Sequence, residues 1–243
     1  MSKLTPEDVV LRYSKRGMNI LKKYLKDGYC RTAAEKLLHA ERGTVLLTTG
    51  FYAAGYAETD GPLGTVAVAE ALNHLGFHSV VVTDKYCKGF FELKQLDVEY
   101  VDIAADEQIY EDILDKYNPV YMISIERCGE NAEHEYANMR GVSITSETAA
   151  IDHLFELAPE KHIPTIGVGD GGNEIGMGNV KDIISEKLEL NPCVVPVDDL
   201  IIATTSNWGA YALTAWLQKL SGEEVLFTFA EAEPYLAATL EIG

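Results

Sequence analysis

The chain has 243 residues and a mass of 26.7 kDa, and 47% of its residues are hydrophobic and 24% charged. This globular composition excludes a disordered or collagen-like chain, and the length suits one large α/β domain or two small ones. The 38 acidic and 20 basic residues give a formal net charge of −18. Because so acidic a surface repels phosphate backbones and anionic lipids, we expect neither a nucleic-acid nor a membrane partner.

The cysteine spacing and the absence of long apolar runs bear on the compartment. The four cysteines are far apart and form no C-x-x-C pair, which favours reduced thiols over a zinc site or a disulfide scaffold. No apolar run approaches the roughly 20 residues that span a bilayer. The first residues also lack an apolar signal core. We therefore expect a cytoplasmic protein.

Residues 1–42 are predicted to form a helical arm. Thr5 suits a helix N-cap and Pro6 the first helical position, while Gly17 and Gly28 divide the region into separate pieces. Lysines mixed with apolar residues between 18 and 25 are typical of a helix that lies across another element. We interpret the arm as a packing element or as a contact through which the chain forms a homo-oligomer.

Residues 43–243 are predicted to form a single α/β domain. Strands are expected at 44–47, 80–82, 98–101, 120–125, 163–168 and 200–203, and helices at 63–75, 107–117, 148–157 and 207–220. Apolar strands that alternate with helices indicate a doubly wound, mostly parallel, Rossmann-like sheet with helices on both faces. The irregular segment 126–147 interrupts this pattern, and loops of that length in compact domains are usually functional.

Polar residues follow five of the predicted strands, at the edge where an open parallel sheet binds its ligands. These segments are Thr48-Thr49-Gly50, Thr83-Asp84-Lys85, Glu126-Arg127, Gly169 to Glu174, and Thr204 to Asn207. Their joint placement predicts a polar cleft for a small-molecule carboxylate. The predicted binding residues at these strand ends include Thr48, Thr49, Gly50, Asn173, Ser206 and Asn207.

The glycine-rich segment after the fifth predicted strand matches G-x-G-x-x-G between Gly167 and Gly172. It is not interpreted as a dinucleotide fingerprint, because Asp170 would repel the pyrophosphate and the motif does not open the first βαβ unit. The glycines instead predict a close approach of the backbone to a ligand, with Asp170, Asn173 and Glu174 facing it. Asp170 and Glu174 also suit a hard cation such as Mg²⁺. The alternative is a turn that caps the next helix.

The loop after the first predicted strand contains glycines and ends with Pro62 at a helix entrance. The N–H groups of Gly61 and Gly64 are candidates to hold a carboxylate or a phosphate there. A hairpin that merely covers the sheet is an equal alternative. No G-x-x-x-x-G-K-[ST] motif is present, which excludes a P-loop.

Two arginines, Arg127 and Arg140, bracket the long irregular segment. An arginine at a strand end is a natural bidentate clamp for a carboxylate. An internal ion pair of Arg127 with Glu126, Glu130 or Glu135 is the alternative. In the same segment, His134 is a candidate base, although a single histidine in a loop is more often a solvated side chain than a catalytic one. Cys128 has no recognisable partner that would make it a nucleophile.

Several motifs together resemble one family. They are Thr48-Thr49-Gly50-Phe51, Glu58-Thr59-Asp60-Gly61-Pro62, Ile125-Glu126-Arg127-Cys128-Gly129, Tyr136 to Gly141, and the run from Gly167 to Gly178. In order and content they are similar to the D-glutamate cyclase C-terminal domain family, over about residues 43–207. In two-domain cyclases this domain follows a hydro-lyase-like domain.

The resemblance implies a lyase that dehydrates D-glutamate, or a related small amino dicarboxylate, to 5-oxo-D-proline. Glu126, Asp170 and Glu174 are the candidates for proton transfer, since burial or a like-charged neighbour raises the pKa of a carboxyl group. Arg127 and the N–H groups of Gly61 and Gly64 would hold substrate carboxylates, with Asn138 and Arg140 beside them. No cofactor is required, although Mg²⁺ or Mn²⁺ on Asp170 and Glu174 would polarise the attacked carbonyl.

Two alternatives stay open at this point. One is a non-catalytic module that binds a small anion or amino acid, or a subunit that partners a hydro-lyase on another chain. The other is a metal-dependent hydrolase of an acylated amino acid.

Overall fold

A six-stranded parallel sheet forms the centre of the protein, and the computed structural model describes residues 4–242. The strands are β1 (Thr44–Thr49), β2 (Tyr52–Ala53), β3 (Tyr56–Ala57), β4 (His78–Thr83), β5 (Asp97–Tyr100), β6 (Tyr121–Ile125), β7 (Thr165–Gly169) and β8 (Asp199–Ile202). The short β2 and β3 form a separate antiparallel hairpin, while the other strands pair in the order β5-β4-β1-β6-β7-β8.

Helices surround the sheet. They are α1 (Pro6–Val10), α2 (Met18–Leu21), α3 (Tyr29–His39), α4 (Pro62–His74), α5 (Gln108–Tyr117), α6 (His153–Leu157), α7 (Lys181–Leu188), α8 (Ser206–Ser221) and α9 (Phe229–Ile242). The predicted start at Thr5 is confirmed, since Thr5 accepts a hydrogen bond from the Asp8 N–H and Asp8 caps the Thr5 backbone in return. None of these helices combines the length and apolarity required to cross a membrane.

The strand order confirms the predicted doubly wound α/β architecture. The chain builds β1, β4 and β5 outward on one side, then returns to place β6, β7 and β8 on the other. All neighbours in this sheet are parallel, and the central strands are buried along almost their whole length. The order therefore reverses between β1 and β6, and the carboxyl ends of these two strands mark the crevice where ligands bind in such folds.

Some elements differ from the predictions. The predicted helix at 148–157 begins only at His153, because a short 3₁₀ turn at Thr145–Glu147 and irregular backbone precede it. Helices α7 and α9 were not predicted, and α9 contains Pro234 in its interior, which weakens the sequence signal for a helix. The hairpin alternative for the loop after β1 is realised as β2 and β3.

The N-terminal helices pack on the same hydrophobic core as the sheet. Met18, Leu21, Cys30 and Leu37 are completely buried in one cluster with the apolar side chains of β1. Helix α3 packs against α8 and β8. The predicted ranges 1–42 and 43–243 include residues 1–3 and 243, which lie outside the described part of the chain.

Candidate functional site

Glu126 stands at the reversal point of the sheet, directly after β6. Its backbone has a φ of +52°, in the left-handed region that residues other than glycine rarely occupy. Strained backbone of this kind is concentrated at functional sites. The side chain is 4% exposed, and its carboxyl group accepts a hydrogen bond from the Ser206 hydroxyl at the start of α8. The structure thus holds a buried acid at the position where the fold binds ligands.

Asp60 and Asp170 bring two further acids to Glu126. Carboxylate oxygens of the three residues lie within 4.8 Å of one another, although the residues come from the loops after β1, β6 and β7. Within the described residues, Oδ2 of Asp170 is buried and has no hydrogen-bond partner. We call Asp60, Glu126 and Asp170 the acid cluster.

Burial and mutual repulsion raise the pKa values of the acid cluster. Burial, followed by repulsion from Glu174, raises the pKa of Asp170 to about 8. Burial is also the largest cause that raises the pKa of Glu126, with repulsion from neighbouring carboxylates adding to it, and it raises the pKa of Asp60. Carboxyl groups whose pKa values are raised in this way exchange protons closer to neutral pH than ordinary carboxyl groups do.

Glu174 lies beside the cluster with both carboxylate oxygens already engaged. They accept hydrogen bonds from the backbone N–H groups of Asp170 (2.9 Å), Gly171 (2.6 Å) and Gly172 (2.7 Å). The approach is close, since a Cβ on Gly169 would lie 3.0 Å from the Glu174 Cβ. Glu174 therefore shapes the glycine-rich turn. The sequence suggested Glu174 as the second metal ligand beside Asp170, but the carboxylates that cluster with Asp170 are those of Asp60 and Glu126.

The N-termini of α4 and α8 cap each other beside the cluster. Asp60 accepts hydrogen bonds from the N–H groups of Ser206 and Asn207 at 2.9 and 2.7 Å. In return, Oδ1 of Asn207 accepts from the N–H groups of Gly61 and Gly64 at 3.0 and 2.7 Å. The two glycine donors that were predicted to hold a substrate carboxylate are thus engaged within the protein, and the exchange fixes Asp60 in place.

Arg127 follows Glu126 in the chain but points into a different part of the molecule. Its guanidinium donates to the Asp84 carboxylate at 2.6 Å, the Gly50 carbonyl at 2.8 Å and the Ala149 carbonyl at 2.6 Å. The side chain is 1% exposed. The sequence suggested either a clamp for a substrate carboxylate or an internal ion pair. The structure shows an internal ion pair, but its partner is Asp84 and not Glu126, Glu130 or Glu135.

A cavity of about 600 Å³ opens next to Glu126. Its lining includes two positively charged side chains, Arg16 and Arg140, and several polar ones. The lining residues of most interest are Arg16, Tyr52, Glu58, Glu126, Asn138, Arg140 and Asn173. Arg16 donates to Asp170 at 2.5 Å, which makes it the cation of the acid cluster. The cavity is large enough for a five-carbon dicarboxylate and offers both charge types that such a ligand requires.

Some of the remaining predicted residues line the cavity, and others are buried within the protein. Asn138 and Asn173 line the cavity; Asn138 also accepts two N–H bonds in its own turn, and Asn173 donates to the Ala137 carbonyl. Arg140 is exposed at the cavity wall. Thr48 and Thr49 are buried, with hydroxyl oxygens that have no hydrogen-bond partner in the described residues.

Two further candidates lie away from the acid cluster. His134 is exposed and pairs with Glu130. Cys128 is buried, and burial raises the pKa of its thiol, which opposes a role as a nucleophile.

Sequence reasoning missed Arg16, Glu58 and Asp60 as site residues. Asp60 had a usable signal, because it directly precedes Gly61 and Pro62 at a helix entrance within one of the family motifs. Arg16 had none, since its segment was interpreted as a packing arm. Burial, followed by repulsion from Asp60, raises the pKa of Glu58, so the charge of the acid cluster acts on this carboxyl group as well.

Known proteins resemble the chain in sequence. Residues 7–243 match the family described as D-glutamate cyclase-like, C-terminal. The mitochondrial D-glutamate cyclase of Homo sapiens is 33% identical over 231 residues, an alignment that covers 84% of this chain and 36% of that protein. This chain thus spans little more than a third of that relative's length.

Solved structures match the chain at low sequence identity and with low TM-scores. The UDP-glucose 4-epimerase of Brucella ovis in complex with NAD is 14% identical, over 75% of this chain and 49% of that one, with a TM-score of 0.37. The WbmG enzyme of Bordetella bronchiseptica in complex with NAD and UDP is 12% identical, over 74% and 50% of the two chains, also with a TM-score of 0.37.

Proposed function

Because the chain belongs to the D-glutamate cyclase-like C-terminal family, we propose that it catalyses the intramolecular dehydration of D-glutamate to 5-oxo-D-proline. The observation that carries the proposal is the acid cluster of Asp60, Glu126 and Asp170 beside a cavity with two arginines. A family likeness alone would suit any small amino dicarboxylate. The cluster adds a chemical reason for a reaction in which protons move between two ends of one substrate.

The reaction forms one C–N bond and breaks one C–O bond. The α-ammonium loses two protons, its nitrogen attacks the γ-carboxyl carbon, and one γ-oxygen leaves with those two protons as water. No oxidant and no second substrate is consumed. The protein must therefore accept protons near the nitrogen and deliver protons near the leaving oxygen, within a few ångströms.

Neighbouring carboxyl groups that share protons suit this task. An ionised member of the acid cluster accepts a proton from the ammonium, and a protonated member donates one to the leaving oxygen. Asp170 has a pKa raised to about 8 and, in the part of the chain that the structure describes, an Oδ2 without a hydrogen-bond partner, so it suits the exchange of a proton near neutral pH. Glu126 is the second member, and its contact with Ser206 orients it. Proton transfer of this kind contributes about 10²- to 10⁴-fold to a rate.

Positioning supplies the other part of catalysis. D-Glutamate is flexible, and its nitrogen must be held against the γ-carbon before the ring closes. Restricting the chain to that geometry contributes at best about 7–11 kcal/mol to the barrier. The cavity walls near Tyr52, Asn138 and Asn173 would limit the conformations of the bound substrate.

A divalent cation is a further element of the proposal. Three clustered carboxylates are a suitable donor set for Mg²⁺ or Mn²⁺, and we assign the ligands to Asp60, Glu126 and Asp170. When bound, such an ion would polarise the γ-carbonyl of the substrate. Assays with added Mg²⁺, with added Mn²⁺ and with a chelator test this element separately from the reaction itself.

The test is to incubate the purified protein with D-glutamate and to measure 5-oxoproline by chromatography. We expect turnover by the wild type and a loss of about 10²- to 10⁴-fold in Glu126→Gln and Asp170→Asn. Glu160→Gln is the matched control, since Glu160 is exposed and remote from the cluster. Wild-type turnover that both variants retain would contradict the assignment of the cluster.

A binding module is the second candidate. It is favoured by one observation: the chain matches only 36% of the human relative, whose name describes the activity of the whole of that protein. This candidate predicts thermal stabilisation by D-glutamate without formation of 5-oxoproline. Turnover by the purified chain would exclude it.

A further inference from the structure

Arg16 reaches the acid cluster from a segment that is fixed to the body of the protein. The segment joins α1 and α2, and the Val10 carbonyl at the end of α1 accepts a hydrogen bond from the Thr204 N–H at 2.9 Å. Gly17, with a φ of +86°, packs so closely on α7 that a Cβ there would lie 2.3 Å from the Leu188 side chain. These contacts hold the backbone that presents Arg16.

The Arg16 guanidinium lies between the acid cluster and the cavity. Its Nη1 is 2.5 Å from Oδ1 of Asp170, and 39% of the side chain is exposed. Among the described residues, Asp170 is the one side chain that accepts a hydrogen bond from it. An arginine has five N–H donors in a planar fork, and Arg16 lines the cavity, so the donors that Asp170 does not use are available to a ligand there. Arg16 is thus positioned to contact both Asp170 and a ligand.

We propose that Arg16 binds the α-carboxylate of the amino dicarboxylate substrate, an inference that rests on the proposed cyclisation. The chemistry distinguishes the two substrate carboxyl groups. A permanent cation on the γ-carboxylate would stabilise its ionised form, which is a poor electrophile. The α-carboxylate passes unchanged into the product, so a permanent cation suits it. This placement also brings the α-ammonium next to Asp170.

The first experiment compares steady-state kinetics on D-glutamate. We expect Arg16→Gln to raise KM on the order of 10- to 100-fold, because it removes a charge-assisted contact with the substrate. Arg16→Lys should recover part of the affinity, since it keeps the charge without the fork. Arg12→Gln is the matched control on the same segment, where Arg12 is exposed and outside the cavity. An unchanged KM in Arg16→Gln would overturn the proposal. A 10- to 100-fold rise in the KM of Arg140→Gln, with no rise in that of Arg16→Gln, would instead assign the contact to Arg140.

The second experiment removes the partner group from the ligand. The α-amide of D-glutamate lacks the α-carboxylate but keeps the reacting amine and γ-carboxyl. We expect the wild type to bind this amide on the order of 10- to 100-fold more weakly than D-glutamate, and Arg16→Gln to bind the two compounds about equally. If Arg16→Gln weakens both ligands by the same factor, Arg16 acts on the fold or on Asp170 and not on the α-carboxylate.

Binding of glutarate separates this inference from the proposed reaction. Thermal stabilisation by D-glutamate and glutarate needs no turnover. If the wild type binds both without making 5-oxoproline, and Arg16→Gln loses that binding, the reaction fails and Arg16 remains the carboxylate anchor. If the wild type makes 5-oxoproline but Arg16→Gln binds normally, only this inference fails. Absence of both binding and turnover in the wild type overturns both.

Discussion

Glu126 and Arg127 are neighbours in the chain, yet their side chains have opposite surroundings. Arg127 forms an ion pair with Asp84 and donates to two carbonyl groups, and these contacts join three loops. Glu126 has strained backbone, other acids nearby and one hydroxyl donor. The comparison teaches that a buried charge paired with an opposite charge and with carbonyl groups serves the fold. A buried acid beside other acids instead has a raised pKa, as Glu126 does.

Asp170 and Glu174 show the same contrast within one turn. Three N–H groups bind Glu174, whereas among residues 4–242 Oδ2 of Asp170 has no hydrogen-bond partner and Asp170 has one, partly exposed counter-ion, Arg16. Glu174 thus holds the backbone of the turn that carries Asp170. Three changes test these contrasts beyond the kinetic variants described above.

The largest expected effect on stability is at Arg127. Arg127→Met should lower the free energy of unfolding by about 3–5 kcal/mol, because Asp84 is left buried without its partner. The double variant Arg127→Met with Asp84→Asn should recover part of the loss. The measurement is the urea midpoint, with Arg12→Gln expected to stay within about 0.5 kcal/mol of the wild type. A stable Arg127→Met protein that loses D-glutamate binding would instead support the clamp that the sequence suggested.

A smaller effect concerns the pH dependence of stability at Asp170. Its pKa rises from 3.8 to about 8 in the folded state, so between those values the unfolded chain is ionised while the folded chain keeps the proton. Ionisation therefore favours unfolding, and wild-type stability should fall as pH rises through this window.

The test compares Asp170→Asn with the wild type at pH 5 and pH 7. The variant should gain relative stability between these values, by at most about 3 kcal/mol. Glu160→Gln should show no such gain. A constant difference between Asp170→Asn and the wild type would show that Asp170 ionises normally in the folded protein.

The smallest effect concerns the backbone at residues 126 and 127. Glu126→Gly should be more stable than Glu126→Ala by about 1 kcal/mol, because glycine accepts a φ of +52° without steric cost. At position 127, where φ is not in the left-handed region, alanine should be the more stable by about 0.4–1 kcal/mol. Thermal unfolding of the four variants measures both differences. If alanine were more stable than glycine at both positions, the backbone at Glu126 would carry no steric strain.

Much of the fold was predictable because its signals are local. Apolar runs such as 44–47 and 120–125 are too hydrophobic for any place but a central parallel strand, and both became neighbouring strands. The start of α1 at its N-cap, Thr5, was equally predictable from the sequence. The weakest signals belonged to α7 and α9, whose stability depends on what they pack against.

The candidate site was predictable only in part. Glu126 and Asp170 were found because residues after parallel strands share one edge of the sheet. The pairing of Arg127 was not found, since Asp84 is 43 residues away and the turn after β6 decides which way each side chain points. The engagement of Gly61 and Gly64 with Asn207 was equally hidden.

By itself, the sequence determined the parallel α/β architecture, the family and the edge of the sheet that carries the acids, because periodicity and strand-end motifs are properties of short segments. Only the tertiary structure decided which charges are satisfied. It placed Asp60 from one loop and Arg16 from the N-terminal segment against Asp170, 154 residues beyond Arg16. Charges interact through distance and burial, and neither quantity exists until the chain has folded.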